Sequence, residues 1–315
     1  MKRITAFLLL LLCLLMITTG CTKTAPKSES SAPAGVEFTD ALGHTIRVTD
    51  SDRVVVASGS FAQTWLLAGG TLAGTTDDSF KDDLDLSEDV ANVGSLHSPN
   101  LESILALNPS LVILSADISG HTDLADQLNA AHIPTAYFSV EVFEDYLNML
   151  KICTEITGRD DLYEKNGLDV QKQVQEIIAR TAGKTSPKVL FLRAGAGKVA
   201  ARNSDTMAGA MLKDMGCINI ADSETGLLDN LSMEVIIQED PDFIFATTMG
   251  DSEEKAKKAL QDTLLSNPAW ASLSAVKNGR YVTLPKELFH QKPNNRWAEA
   301  YEQLWEILYL SLIHI

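Results

Sequence analysis

Apolar and polar positions along the chain predict an alternation of strands and helices. Short continuous apolar runs predict buried strands at residues 53–57, 111–114, 134–138, 188–192, 243–246 and 280–284. Stretches with a helical period lie between and after them, most clearly residues 141–157, 160–181 and 296–309. Because strands that alternate with helices form parallel sheets, the pattern predicts an α/β fold.

One part of this pattern occurs twice. Residues 102–113 and 234–245 each begin with Glu, carry Ile two positions later and Pro seven positions later, and then continue into an apolar strand. We interpret each copy as a helix that opens at Glu102 or Glu234, is stopped by the Pro, and leads into a buried strand. The chain therefore carries one structural unit in two versions.

The repeat predicts two parallel-sheet α/β lobes joined by one long helix. We place the N-terminal lobe at residues 36–158, the connecting helix at 159–183 and the C-terminal lobe at 184–309. In such sheets ligands bind beyond the carboxyl ends of the strands, so we expect a ligand cleft between the lobes.

The N-terminus is typical of an exported protein. Lys2 and Arg3 precede an almost wholly apolar run, and the small residues 18–20 lead to Cys21. This start resembles the lipobox of bacterial lipoproteins, which implies a signal peptide at residues 1–20 and lipidation of Cys21. The remainder of residues 21–35 is rich in Ser, Ala and Pro and predicts a flexible tether. We therefore expect a lipid anchor on the extracytoplasmic face of the cell membrane; an uncleaved anchor and an ordinary secretory signal are the alternatives.

Charge and cysteine content argue against several classes of function. The 315 residues carry 26 Lys+Arg against 42 Asp+Glu, a net charge of -16, which argues against nucleic-acid binding. Beyond the N-terminus no apolar run is long enough to predict a spanning helix. Cys153 and Cys217 lie far apart without metal-binding spacing, so we expect two buried free thiols.

Basic side chains are predicted at the cleft edge of the C-terminal lobe, where they would suit an anionic ligand. Histidines in the cleft loops could ligate haem iron or cobalt, or could simply form hydrogen bonds, and Phe61 could stack on a ligand. The predicted ligand-binding residues are Phe61, His97, His121, Arg193, Arg202, His290 and Arg296, with Lys198, Lys286 and Lys292 in the same loops. Of these, His97 and His121 are the possible axial metal ligands.

The paired Glu-x-Ile-x4-Pro segments, the Asn100-Leu101-Glu102 step after Val93-Gly94 and the inter-lobe helix occur together. In this combination the chain resembles the substrate-binding lipoproteins of ABC importers for iron–siderophore, haem and cobalamin, over about residues 36–309. The resemblance implies capture of a metal chelate, no catalytic step and no cofactor, and a monomer that docks through Glu102 and Glu234 on a permease dimer with ATPase subunits.

The sequence does not identify the ligand. Haem binders of this class tend to carry Tyr after the Val-Gly step, whereas this chain has Ser95 there. Haem, a corrinoid and a ferric siderophore all remain candidates, with a zinc or manganese receptor and a membrane-tethered hydrolase as alternative functions.

Residues 195–198 do not fit a phosphate loop and predict a flexible cleft loop. Residues 310–315 are interpreted as a non-native tail, and no function is assigned to His314.

Overall fold

The computed structural model describes residues 35–81, 84–250 and 252–310. The predicted signal peptide, the lipidation site Cys21, the tether up to residue 34 and residues 311–315 of the suspected tail lie outside the described residues. The predictions about these segments therefore stay predictions. Within the described ranges, no helix combines the length and the apolar character that crossing a bilayer requires.

The N-terminal half is built on a parallel sheet. Its strands are β1 (Val36–Thr39), β2 (Thr45–Val48), β3 (Val54–Val56), β4 (Gly74–Thr75), β5 (Ala91–Asn92), β6 (Gly94–Ser95), β7 (Ser98–Pro99), β8 (Leu111–Ser115) and β9 (Thr135–Phe138). Five of them form the sheet in the order β5-β4-β3-β8-β9, with every pair parallel. The strands β3 and β8 are buried along their whole length, as their continuous apolar sequence predicts.

Six helices surround this sheet in the described part of the N-terminal half. They are α1 (Gly59–Leu67), α2 (Asp77–Lys81), α3 (Leu101–Ala106), α4 (Ser119–Thr122), α5 (Ala125–Ala130) and α6 (Phe143–Thr157). Gly158 ends α6 in the left-handed conformation, with φ of 69°, which glycine adopts at little steric cost.

The segment predicted as the connecting helix contains three consecutive helical pieces. They are α7 (Asp160–Tyr163), a π turn (Glu164–Leu168) and α8 (Asp169–Ala179). Gly167 lies in the π turn, where an added Cβ would meet Leu150 and Tyr163 at 3.2 Å. The close approach of α6 to this turn therefore favours a residue without a side chain.

The C-terminal half has a second sheet, which is mostly parallel. Its strands are β10 (Lys188–Ala194), β11 (Val199–Arg202), β12 (Ile218–Asn219), β13 (Phe243–Thr248) and β14 (Tyr281–Thr283). They are ordered β11-β10-β13-β14, with β12 also paired to β10. The pair β10–β11 is antiparallel, so the loop predicted at residues 195–198 lies between two paired strands. These residues form the turn of a hairpin, because the next strand folds back onto β10.

Eight helices belong to the described part of the C-terminal half. They are α9 (Met207–Asp214), α10 (Ile220–Ser223), α11 (Gly226–Asp229), α12 (Met233–Glu239), α13 (Glu253–Leu260), α14 (Ser274–Lys277), α15 (Lys286–Phe289) and α16 (Trp297–Trp305). Shorter helical turns are the π segments Gln261–Leu265 and Glu306–Leu310 and the 3₁₀ segments Pro268–Ser272 and Asn294–Arg296.

The sequence repeat has a matching structure in both halves. Asn100 caps α3 by accepting a hydrogen bond from the backbone N–H of Ser103 at 2.8 Å, and Ser232 caps α12 in the same way through Val235 at 3.4 Å. Each helix ends near a residue with positive φ, 46° at Asn108 and 40° at Asp240, directly before the repeated Pro. Each then leads into a fully buried central strand, β8 or β13.

One hydrophobic cluster extends through both halves. It contains Trp65 and Leu150 from the N-terminal half and Phe191 and Phe243 from the C-terminal sheet, all buried. Tyr301 of the C-terminal helix belongs to the same cluster. Two free thiols in the described part of the chain, Cys153 and Cys217, are buried as predicted, and burial raises the pKa of each to about 12.

The segment before α16 reaches back into the N-terminal half. The side-chain amide of Asn294 donates to the Ser60 carbonyl at 3.0 Å and to Gln63 Oε1 at 2.6 Å. Its oxygen accepts from Thr64 Oγ1 at 3.1 Å. Asn294 is 1% exposed and has a positive φ of 54°, which Asn tolerates better than most residues. This residue therefore ties the C-terminal segment to α1.

Candidate functional site

The register of the C-terminal sheet brings polar side chains together at its carboxyl edge. Arg193 of β10 lies opposite Ala200 of β11 and opposite Thr247 of β13. Arg202 of β11 lies opposite Phe191, two residues before Arg193. Because side chains alternate between the faces of a strand, the two arginines and Thr247 share one face. The same face is lined by buried aromatic residues nearer the middle of the sheet.

Two polar atoms at this edge are buried without a partner. Arg193 Nε and Thr247 Oγ1 have no hydrogen bond from the described residues. Burial, and then the nearby charge of Arg202, lower the pKa of the Arg193 guanidinium, while Glu141 acts in the opposite direction. An unsatisfied buried polar group is destabilising by roughly 1–3 kcal/mol, so this arrangement favours a ligand that supplies acceptors.

His290 lies near Arg193 and two lysines, Lys286 and Lys292. Burial, together with the charges of Arg193, Lys286 and Lys292, lowers the pKa of His290 to about 4. The ring is therefore neutral at neutral pH. Its Nδ1 is buried and has no hydrogen-bond partner among the described residues. We call Arg193, Arg202, His290 and Lys292 the basic cluster.

A carboxylate from the opposite half faces the basic cluster. Glu141, which follows β9 and precedes α6, accepts a hydrogen bond from Lys292 Nζ at 3.1 Å. The same carboxylate is close enough to Arg193 to influence its pKa. Glu141 thus places negative charge beside the basic cluster, and its hydrogen bond with Lys292 links the two halves.

Arg296 does not join the basic cluster. Its side chain is exposed and forms a two-point ion pair with Glu299 at 2.7 and 2.8 Å. That pairing raises the pKa of Arg296 and occupies its guanidinium. In the structure Arg296 therefore lies at the start of α16 and faces solvent, and its role as a ligand contact stays a prediction.

Phe61 also lies elsewhere than predicted. Its side chain is 3% exposed and packs edge-on against Phe138 in the hydrophobic cluster, with ring centroids 6.5 Å apart. It is the third residue of α1, and that position faces the sheet instead of the cleft. The other aromatic residues of the predicted loops, Phe289 and Trp297, are buried as well.

His121 has a structural environment that contradicts its prediction as an axial metal ligand. The ring is fully buried, Nδ1 accepts from the Ser115 backbone N–H at 2.9 Å, and Nε2 donates to the Leu96 carbonyl at 2.6 Å. Burial lowers the pKa of His121, and the hydrogen bond to Leu96 partly opposes that change. His97 is exposed, and its role stays a prediction.

The predicted docking residues occupy equivalent places in the two halves. Glu102 is the second residue of α3 and Glu234 the second residue of α12, and both are exposed.

Sequence reasoning missed two residues of the candidate site, Glu141 and Thr247. The sequence did contain signs of both. Glu141 comes just after a buried strand, and Thr247 lies near the end of an otherwise apolar strand. Across the described ranges, no group of three or more His, Cys, Asp or Glu side chains is placed to hold a metal ion.

Comparison with known proteins identifies the architecture. The sequence profile described as "Periplasmic binding protein" matches residues 54–288, most of the chain. This chain belongs to the periplasmic binding protein family. The match includes both five-stranded sheets, the helical pieces between them, and Arg193 and Arg202 of the basic cluster; His290 and Lys292 lie just beyond its end.

Curated relatives of this family member match over most of their length. The Fe(3+)-citrate-binding protein YfmC of Bacillus subtilis is 25% identical over 289 residues, covering 89% of this chain and 88% of the relative. The high-affinity heme uptake system protein IsdE of Staphylococcus aureus is 25% identical over 230 residues, covering 70% and 75%.

Solved structures show the same fold. Staphylococcus aureus IsdE complexed with heme superimposes with a TM-score of 0.68 at 20% identity, covering 82% of this chain and 98% of that chain. Staphylococcus aureus SirA complexed with staphyloferrin B gives a TM-score of 0.68 at 22% identity, covering 88% and 98%.

Proposed function

We propose that this periplasmic binding protein is the substrate-binding component of an ABC importer and that it captures an anionic ferric chelate bearing carboxylates. The observation that carries the proposal is the buried, unpaired Nε of Arg193 beside Arg202 at the cleft edge. A guanidinium offers several donors in a fixed plane, which suits two carboxylate oxygens at once. A citrate-type ligand would supply these acceptors.

Capture proceeds by exchange of partners in the basic cluster. The chelate's carboxylates accept hydrogen bonds from Arg193 and Arg202, and Thr247 Oγ1 provides a further donor on the same sheet face. Glu141 gives up its hydrogen bond with Lys292 when the negatively charged ligand binds. A ligand anion near His290 also favours protonation of its ring, which then becomes another donor.

The relatives support this class of ligand. The name of YfmC assigns it ferric citrate, and the structure of SirA contains staphyloferrin B. IsdE is a heme uptake protein, so haem is a comparison ligand in the test. The cluster carries positive charge and hydrogen-bond donors, which favours an oxygen-rich anion over a corrinoid.

Delivery follows capture without a chemical step on this chain. A lipid anchor at Cys21 would hold the protein on the extracytoplasmic face of the membrane. Glu102 and Glu234 would dock the loaded protein on a permease whose ATPase subunits drive uptake. The two carboxylates support this role because they are exposed at equivalent positions of the two halves.

A titration with three ligands tests the proposal. The full-length protein is titrated with ferric citrate, haem and cyanocobalamin, and intrinsic fluorescence and calorimetry report binding. We expect saturable binding of ferric citrate that Arg193→Gln weakens by about 10-fold or more, since a hydrogen bond to a charged group contributes ~1.5–3 kcal/mol. Arg296→Gln is the matched control and leaves binding unchanged.

Two results would refute the proposal. One is saturable binding of cyanocobalamin or haem that is insensitive to Arg193→Gln, because the basic cluster would then not be the ligand site. The other is chemical conversion of the added chelate, measured by mass spectrometry of the recovered ligand, which would favour the hydrolase alternative.

A further inference from the structure

A cavity in the N-terminal half lies between the hairpin β1–β2, the helix α5 and the edge strand β9. Its volume is about 460 Å³, which is in the range of small-molecule sites. Residues 132–135, which lead into β9, line the cavity, whereas Glu141 follows the other end of that strand. The cavity is therefore separate from the cleft edge that carries the basic cluster.

Two hydrogen bonds fix the hairpin against β9. The Ala41 backbone N–H donates to the Tyr137 carbonyl at 2.8 Å, and the Tyr137 backbone N–H donates to Asp40 Oδ2 at 3.2 Å. On the other side of the cavity, His132 has a positive φ of 56° in the turn that leads from α5 to β9. The walls of the cavity therefore come from elements that the backbone holds in place.

The cavity is lined by basic side chains and not by acidic ones. The basic side chains are Arg47 of β2, His44 and His132, and no Asp or Glu in the described part of the chain contributes to the lining. Arg47 is exposed and forms no ion pair within the described residues, although Glu37 lies opposite it in the hairpin. In a chain with a net charge of -16, such a lining favours an anionic ligand.

Asp40, the carboxylate next to the cavity, has all its hydrogen bonds within the hairpin and β9. Its Oδ1 accepts from the backbone N–H groups of Leu42 at 3.0 Å and His44 at 2.8 Å. Its Oδ2 accepts from the Tyr137 N–H and from His44 Nδ1, each at 3.2 Å, and the side chain is fully buried. Asp40 therefore orients the His44 ring and does not occupy the cavity.

Tyr137 contributes an unused hydrogen-bond donor to the cavity wall. The residue is 2% exposed, and its hydroxyl is buried without a partner among the described residues. Burial, and then the charge of Asp40, raise the pKa of Tyr137 to about 12, so the hydroxyl keeps its proton at neutral pH. The exposed His44 ring lies edge-on to the Tyr137 ring, with centroids 6.1 Å apart. A buried donor without an acceptor is unfavourable, and an acceptor on a ligand would satisfy it.

We propose that this cavity is a second ligand site, which binds a small soluble organic anion with a carboxylate or phosphate head. Arg47 pairs with the head, and the Tyr137 hydroxyl donates a hydrogen bond to it after a small movement of the exposed His44 ring. Ile46 and Ile133 line the same cavity and pack against the hydrocarbon part of the ligand. The inference does not rest on the proposed function, because it uses no residue of the basic cluster.

Histidine resonances report the cavity and the basic cluster separately. The full-length protein carries isotope-labelled histidine and is titrated with benzoate, phenyl phosphate and inorganic phosphate, while NMR follows His44, His132 and His290. We expect benzoate and phenyl phosphate to shift the His44 and His132 signals saturably. Inorganic phosphate should bind about 3-fold or more weakly than phenyl phosphate, because it has no apolar surface to bury.

Two substitutions and two controls assign the residues that bind. Tyr137→Phe removes only the hydroxyl and Arg47→Gln removes the charge, and we expect each to weaken benzoate binding about 10-fold, as is typical for a lost hydrogen bond to a charged group. Tyr163→Phe and Lys172→Gln make the same changes in α7 and α8, away from the cavity, and leave benzoate binding unchanged. Circular dichroism confirms that all four variants are folded, and Arg47→Gln changes an exposed residue that the core does not need.

The outcomes decide for or against this second site. Saturable shifts of His44 and His132 that Tyr137→Phe and Arg47→Gln weaken support it, whatever the response of His290, which reports the basic cluster. The absence of saturable shifts, or binding that neither substitution weakens, overturns it. Equal affinity for inorganic phosphate and phenyl phosphate overturns the organic class of ligand. Shifts that appear only with phosphatidylglycerol vesicles overturn a soluble ligand and assign the cavity to a lipid headgroup instead.

Discussion

Arg193 is the penultimate residue of β10, the residues before it are mostly buried and apolar, and its Nε has no hydrogen-bond partner among the described residues. The second guanidinium nearby, Arg202, adds like-charge repulsion that lowers the pKa of Arg193. A group that is both desolvated and repelled lowers the free energy of unfolding. Binding sites retain such groups because they serve the ligand, so stability and affinity oppose each other at this residue.

Replacement of Arg193 by Met tests this opposition. We expect Arg193→Met to raise the free energy of unfolding by about 1 kcal/mol, because an apolar side chain of similar length removes a buried, unsatisfied charge. Ferric citrate affinity should fall about 10-fold in the same variant. Urea denaturation and calorimetry measure the two effects; Arg296→Met is the control, and a loss of stability in Arg193→Met would contradict the argument.

The ring of His290 predicts a pH dependence of stability. Its pKa lies at about 4 in the folded protein instead of 6.5, so as pH falls through this interval the unfolded chain binds a proton that the folded chain does not. The free energy of unfolding therefore decreases with falling pH, and His290→Asn should lessen that decrease. Urea denaturation at pH 7, 5.5 and 4.5 gives the comparison, with the exposed His132→Asn as the control. Equal slopes in all three proteins would exclude this role of His290.

At the scale of elements, the repeated helix–strand unit could be predicted because its determinants are local. A Glu in the first turn, a Pro after the last turn and an apolar strand each have direct sequence signs. The hairpin β10–β11 could not be predicted in this way. Its second strand, Val199–Arg202, is rich in Ala and follows two glycines, and only its pairing with β10 makes it a strand.

The candidate site shows the same division between what was predictable and what was not. The rule that ligands bind at the carboxyl edge of parallel strands pointed to Arg193 and Arg202, which lie on one face of the C-terminal sheet, and to His290, which lies near Arg193. It could not predict which way a side chain points within that edge. Phe61 and His121 lie near the edge in sequence but face inward, because core packing and two hydrogen bonds fix them there.

The caps of the repeated helices predict matched losses of stability. Asn100→Ala and Ser232→Ala each remove a side-chain acceptor for a backbone N–H, and we expect each to cost about 1 kcal/mol, with Ser232 less because its bond is longer. The two caps lie in helices of different halves, so the two losses in the free energy of unfolding should add. Asn100→Asp, which keeps an acceptor, is the control. Urea denaturation of the three single variants and the double variant provides the measurement, and a double loss well above the sum would contradict independence.

At the scale of the whole molecule, several contacts hold the two halves together. The hydrophobic cluster is shared, and α16 is tied to the end of α8 by the ion pair of Glu302 with Arg180. The Arg180 guanidinium also lies 4.3 Å from the centroid of the Trp305 ring. These contacts are incompatible with a wide separation of the halves. In the proposed function, ligand exchange would depend on local contacts such as that of Lys292 with Glu141.

Glu141 is the carboxylate that a bound anion must outcompete. We expect Glu141→Gln to increase ferric citrate affinity about 5-fold at low salt, because a neutral side chain neither occupies Lys292 nor repels the ligand, an effect of ~1 kcal/mol. The gain should shrink as salt is added. Calorimetric titration at two ionic strengths measures it. Glu88→Gln changes the net charge equally at a distant exposed position and is the control; weaker binding by Glu141→Gln would refute the competition.

The hydrogen bonds of Asn294 have a consequence for how the protein is made. Ribosomes synthesise α1 more than two hundred residues before Asn294, so Gln63 meets this partner only after those residues have been made, whereas Thr64 also has the Ser60 carbonyl of its own helix. A nascent chain that stops before this residue leaves the first lobe with exposed polar groups and without α16. A product truncated before Asn294 therefore lacks part of the packing around α1, a difference that proteases can recognise.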